Sequence, residues 1–134
     1  MPINTNPDIH ELVVCANIFV RKDDKYLLLK RSPKKKFAPN VVHPIGGKVD
    51  LGENPFLAAQ REVFEEAGVK VKNMRLEAVI LEIFSKKDMP YNWLIFHFSA
   101  DYESGGIKKT EEGELIFLEK DQIPKQKLFP SVKQ

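Results

Sequence analysis

The most constraining feature of this chain is a helix with both ends written into the sequence. Asn54 can accept a hydrogen bond from the first free amides, and Pro55 at the first helical position gives up no useful donor. The helix runs to about Ala67, where Gly68 supplies the stop. Along it, Phe56, Ala59, Val63 and Ala67 form an apolar stripe that must face a core.

The segments on either side read as strands. Glu11 to Lys22 is dominated by Val13, Val14, Ile18, Phe19 and Val20, types that suit a largely buried strand. Asp23-Asp24 is a hairpin turn, and Lys25 to Leu29 is the returning strand. After a basic loop, Arg31-Ser32-Pro33-Lys34-Lys35-Lys36, Val41 to Ile45 forms a short strand ending at Gly46-Gly47. Leu76 to Phe84, Trp93 to Ala100 and Glu114 to Leu118 supply three more. Strands before and after one helix, opened by a hairpin, predict an α/β layered fold on a mixed sheet. A second helix starting near Phe129-Pro130-Ser131 would cover the other sheet face, and its shortness suggests a trimmed C-terminus.

Composition excludes several alternatives. At 134 residues the chain is a single domain spanning 1–134, with 43% apolar and 30% charged residues. It has no run of apolar residues long enough to span a membrane, and Met1 to Asp8 lacks the pattern of a secretory signal. The lone Cys15 cannot form an internal disulfide, which fits a cytoplasmic setting, and its apolar neighbours make it a packing residue. A net charge of +2 does not argue for nucleic-acid binding.

The chemistry lies in the helix. At about 100° per residue, Glu62, Glu65 and Glu66 fall within an arc of roughly 100°, beside the buried stripe. Three close carboxylates repel, and the negative end of the helix dipole worsens their position. Arg61 offsets one of them, most directly Glu65 four residues on, and Glu53, just before the helix, can hold the loop against Arg61. A cation would neutralise the rest, and oxygen-only ligands suit magnesium or manganese. A solvated acidic face would show the same spacing. The flanking Gly46-Gly47 shifts the balance, because a backbone without side chains lets a phosphate or metal approach closely.

From Gly47 to Val69 the chain resembles the Nudix box in full: glycine, five residues, glutamate, seven residues, Arg-Glu-aliphatic, one residue, Glu-Glu, one residue, Gly-aliphatic. A chance match at every constrained position is on the order of 10⁻⁸ from average residue usage. The resemblance implies the family's α/β/α sandwich around a central mixed sheet. It also implies a Mg2+-dependent (Mn2+ as a substitute) hydrolase of a nucleoside diphosphate linked to another group. Glu62, Glu65 and Glu66, with the Gly46 carbonyl, would hold the metal, and Glu62 is the first candidate for the base acting on water. Arg61 and Glu53 would position the acids and the loop. Some members take a further carboxylate from a later loop, for which Glu112 is the candidate.

The substrate is less constrained. Lys48-Val49-Asp50 and the turn Asp121 to Pro124 resemble members that cleave nucleoside triphosphates, the MutT type, to monophosphate and pyrophosphate. Where relatives carry Asn or Asp to read an oxidised purine, this chain has Ser131, which departs from that pattern. Gly47, Lys48, Phe37, His43 and Ser131 are the candidate substrate contacts. The partner expected is a small nucleotide, bound by a monomer or homodimer. The lysine loop keeps open an RNA 5′ end, an ADP-ribose-type substrate is a further alternative, and a nucleotide sensor without turnover is the non-enzymatic one.

Overall fold

A computed structural model describes residues 11–83, 91–106 and 113–128. Strand β1 (Leu12–Lys22) turns through Asp23 and Asp24 into β2 (Lys25–Arg31), and both turn residues take positive φ, 51° and 64°. That is the backbone a two-residue hairpin needs to match strand twist, and aspartate tolerates it. Next come β3 (Val42–Lys48), helix α1 (Pro55–Ala67), β4 (Lys70–Glu82), β5 (Asn92–Ser104) and β6 (Gly113–Glu119). A 3-10 turn over Lys120–Lys125 contains the predicted Asp121 to Pro124 segment.

All six strands join one sheet in the order β4-β5-β1-β3-β2-β6. β1 lies parallel to β5 and antiparallel to both β3 and β2, so the sheet is mixed, as the sequence indicates. β1 is shared along its length: Cys15 to Ile18 pair with β3, and Val20 to Lys22 pair with β2. The expected second helix falls outside the described residues. Among the described residues no helix is long and apolar enough to cross a membrane.

Helix α1 forms where its caps place it. The Asn54 side chain accepts from the Leu57 amide at 2.8 Å, and Gly68 closes the other end at φ 70° with its N–H bonded to Phe64 at 2.9 Å. Its buried face is Ala58, Ala59, Val63 and Ala67, packed on Ala16, Ile18, Val20, Ile45, Phe98 and Ala100. Phe56, expected in that stripe, is instead 41% exposed. Ala58, absent from the expected stripe, is fully buried, and the Phe56 ring stands edge-on to Phe98 at 5.9 Å at the margin of the core. Three alanines in the buried face bring the helix backbone close to the sheet, which sets the geometry of the acids below.

A second correction concerns the glycines. Gly46 and Gly47 do not end β3; they lie inside it, paired with Asn17 and Ala16 of β1. At Gly46 an added Cβ would overlap the Ala16 carbonyl and the Asn17 side chain. The lack of a side chain there is required by strand packing.

Candidate functional site

Arg61 is the hub of the acidic helix. Its guanidinium grips Glu53 through two hydrogen bonds, Nε to Oε2 at 2.8 Å and Nη2 to Oε1 at 3.0 Å. It also donates to Glu62 Oε1 at 3.0 Å, Glu65 Oε2 at 3.2 Å and the Lys48 carbonyl at 3.3 Å. Asp50 adds a fourth carboxylate at 3.5 Å. The reading that Arg61 offsets chiefly Glu65 is therefore corrected: its two-pronged partner is Glu53, because the loop before α1 folds back across the helix. Planar, charge-assisted pairing of this kind is the strong form of the hydrogen bond.

Titration behaviour follows that geometry. Hydrogen bonding to Glu53 raises the Arg61 pKa still further above its basic range, with the charge of Glu62 reinforcing the shift. Arg61 in turn holds the Glu53 carboxyl below the usual glutamate range. Glu53 also accepts from the Asp50 amide at 3.2 Å, so one carboxylate ties the loop to the helix.

The box acids differ in setting. The Glu62 side chain is 14% exposed and that of Glu65 is 57% exposed. Glu66 has a buried carboxylate oxygen. Gly47 explains how Glu62 is accommodated: a Cβ there would lie 2.7 Å from Glu62 Oε1. The space expected for a phosphate at Gly47 is thus filled by the Glu62 carboxylate. Among the described residues no three acidic, histidine or cysteine side chains converge as a ready metal cage. Arg61 engages one oxygen each of Glu62 and Glu65 and leaves each a second one. With Glu66 beside them, the oxygen-only donor set fits a hard divalent cation after side-chain rotation.

The remaining sequence candidates are more dispersed. Lys48 is exposed at the end of β3, with its backbone bound to Arg61. His43 stands four residues before Gly47, about 13 Å along the strand, and its Nδ1 lies 2.7 Å from the Pro44 carbonyl. Phe37 is 51% exposed on the loop between β2 and β3, with the Arg31 guanidinium 5.9 Å from its ring centre. Glu112 and Ser131 lie outside the described residues. The sequence reading did not single out Glu82 of β4, which carries a buried carboxylate oxygen, and it gave no role to His97 of β5, which is 4% exposed. Only strand pairing puts both on one sheet face, and no local pattern announces it.

Comparison with known proteins agrees with this architecture. A family model described as NUDIX domain matches residues 11–132, and the chain belongs to the Nudix hydrolase family. Within it the fold is MutT-like. A MutT NUDIX hydrolase from Burkholderia pseudomallei superposes with a TM-score of 0.79 at 25% identity, covering 92% of this chain and 95% of that one. The mutator MutT protein of Bacillus halodurans gives 0.76 at 28% identity, over 91% and 78%. In sequence the chain is similar to the NAD-capped RNA hydrolase NudC of Haemophilus influenzae strain PittEE, 34% identical over 102 residues, 74% of this chain and 36% of that protein. NudC of Chromobacterium violaceum is 38% identical over 99 residues, 73% and 33% respectively. The chain spans about a third of the length of these curated relatives.

Proposed function

We propose that this chain is a Mg2+-dependent nucleotide pyrophosphohydrolase of the MutT type, cleaving a nucleoside triphosphate to monophosphate and pyrophosphate. The observation that carries this reading is the clamp of Arg61 on Glu53, Glu62 and Glu65, which ties three of the box acids together beside β3. Glu62, Glu65 and Glu66, with the Gly46 carbonyl, would hold the cation. Magnesium bound there supplies charge neutralisation for the diphosphate and the leaving group. Glu62, 14% exposed between α1 and Gly47, would orient water and take its proton. Arg61 and Glu53 keep that carboxylate in place without touching substrate. Lys48 and Phe37 are exposed and offer a charge and a ring to the nucleotide. Glu112 would add a carboxylate from its loop, and Ser131 and His43 further polar contacts.

A second reading has its own support. The NudC relatives are named for NAD-capped RNA, so a dinucleotide or capped RNA end competes with free triphosphates as substrate. Incubation with magnesium and a panel of triphosphates, NAD, ADP-ribose and NAD-capped or triphosphate RNA separates them by products. The expected outcome is monophosphate and pyrophosphate from one triphosphate, lost in Glu66→Gln. Turnover of NAD or capped RNA alone would move the assignment to the second reading, and undiminished activity in Glu66→Gln would overturn both.

A further inference from the structure

The loop between β2 and β3 concentrates the positive charge of the chain. Lys30, Arg31, Lys34, Lys35 and Lys36 fall within seven positions, and no acidic residue occurs between Asp24 and Asp50. Of the 21 basic residues these five leave 16 against 19 acidic ones, so the rest of the chain is net negative. Like charges crowded in this way repel, and an anionic partner relieves that repulsion.

Hydrogen bonds fix the path of the loop. The Arg31 amide donates to the Val41 carbonyl at 2.8 Å, and the Asn40 amide returns to the Arg31 carbonyl at 3.2 Å. The amides of Lys34 and Lys35 donate to the Ser32 hydroxyl and carbonyl, at 3.2 and 3.1 Å. The Arg31 guanidinium reaches the Phe37 carbonyl at 3.1 Å, and Ala38 and Asn40 take positive φ, 48° and 61°. Where the loop meets β6 there is an open cleft of about 430 Å³ lined by Lys30, Arg31, Ser32, Pro33, Asn40 and Glu114. Glu114 stands opposite Lys30 across the β2–β6 ladder and offsets that one charge. Lys34 and Lys36 are exposed on the same loop.

Distance separates this cleft from the box acids. Val42, where the loop re-enters the sheet, stands five residues before Gly47, about 17 Å along β3. Exposed charges are screened over about 8 Å at physiological ionic strength, so the loop does little for phosphates at Glu62, Glu65 and Glu66. Its ligand must carry further negative charge about two screening lengths from those acids. At about 3.4 Å per nucleotide in a stacked strand, that distance is reached within about five nucleotides of a bound 5′ end.

We infer that the β2–β3 loop holds the phosphodiester backbone of a single-stranded RNA whose 5′ end lies at the box acids. A basic track of this kind binds the backbone without reading sequence. The inference rests on the second reading above only for the identity of the bound end.

Fluorescence anisotropy of 3′-labelled RNA oligonucleotides of about 2 to about 12 nucleotides tests this contact. A 5′-monophosphate on each leaves no diphosphate to cleave, so binding is read without turnover. Affinity should rise about 10-fold or more between roughly two and roughly eight nucleotides, then level off. The logarithm of affinity should fall with the logarithm of salt at a slope of about −3, the value for roughly four phosphates neutralised on a single strand. Lys34→Gln, Lys35→Gln and Lys36→Gln combined should flatten that slope by about 2 and remove the gain with length. In the same variant kcat/KM for a free nucleotide should stay within about 2-fold, because the loop is screened from the acids. Binding that does not grow with length, a slope near zero, or a length gain that survives the triple substitution would overturn the inference. So would tighter binding to phosphatidylserine vesicles than to the longest RNA, which would assign the loop to a lipid surface. The wild-type length and salt series decides the matter even if the variant fails to fold. Turnover of capped RNA without a length gain would keep the second reading and remove only this inference. A length gain without turnover of any RNA would keep the strand contact and remove that reading.

Discussion

The two faces of the sheet treat their buried polar groups in opposite ways. On the α1 side, Arg61 spends its guanidinium donors on Glu53, Glu62, Glu65 and the Lys48 carbonyl, and those acids are fixed by it. On the other face, Glu82 keeps a buried oxygen and His97 both ring nitrogens without hydrogen bonds among the described residues. The first arrangement is held together by one guanidinium. The second has unmet capacity, so it should respond to pH.

The largest effect should come from disturbing the closest contact of the first face. Gly47→Ala would place a methyl 2.7 Å from Glu62 Oε1 and push that carboxylate aside. Backbone φ at Gly47 is outside the left-handed region, so the fold should survive. A shift of about 1 Å in a reacting group costs about 10²-fold, and kcat/KM should fall by at least that much. Steady-state kinetics with an unchanged circular dichroism spectrum would bear this out; near wild-type kcat/KM would mean that Glu62 is not held where catalysis needs it.

Arg61→Lys should act more gently. The charge stays, but the fork that bridges Glu53 to Glu62 and Glu65 is lost. With its side chain 28% exposed, Arg61 should be worth about 1–2 kcal/mol after solvent screening, read as a lower urea midpoint. On its proposed role of orienting the metal-binding acids, activity should fall about 10- to 100-fold. A variant that keeps both stability and activity would show the crowded acids to be self-sufficient.

The contrast between the faces also explains what was legible in the sequence. Helix α1 was, because its caps, Asn54 and Gly68, and its alanine-rich stripe act within a few residues. The box acids were, because spacings of three and four determine a helical face. The contact of Glu53 with Arg61 was legible from its place just before the helix; that Glu53 and not Glu65 takes both prongs of the guanidinium was not, because no helical spacing describes the fold-back of that loop. Gly46-Gly47 looked like a strand end because glycine weakens a strand, yet pairing with Ala16 and Asn17 carries β3 through to Lys48. Similarly, β4 begins at Lys70, six residues before the apolar run at Leu76, since an edge strand tolerates Lys70, Lys72 and Arg75 facing water. Glu82 and His97 share a face only because β4 and β5 pair in one particular register, which is tertiary information.

The smallest predicted effect tests the second face through His97. Burial lowers its pKa, so it is neutral in the fold and protonated first in the unfolded chain. A depressed value contributes stability that is present above the unfolded imidazole pKa of about 6.5. That contribution is lost as pH falls toward the folded value, because the unfolded chain then binds the extra proton. Asn17 on β1 and Ala78 on β4 lie opposite, the Phe19 ring sits 5.8 Å away, and among the described residues neither ring nitrogen has a hydrogen-bond partner. The wild type should therefore lose stability between pH 7.5 and 5.5, and His97→Leu should lose less over the same interval, each followed by its urea midpoint. If the two slopes coincide, the imidazole is satisfied in solution, and the face opposite α1 is as fully paired as the face beneath it.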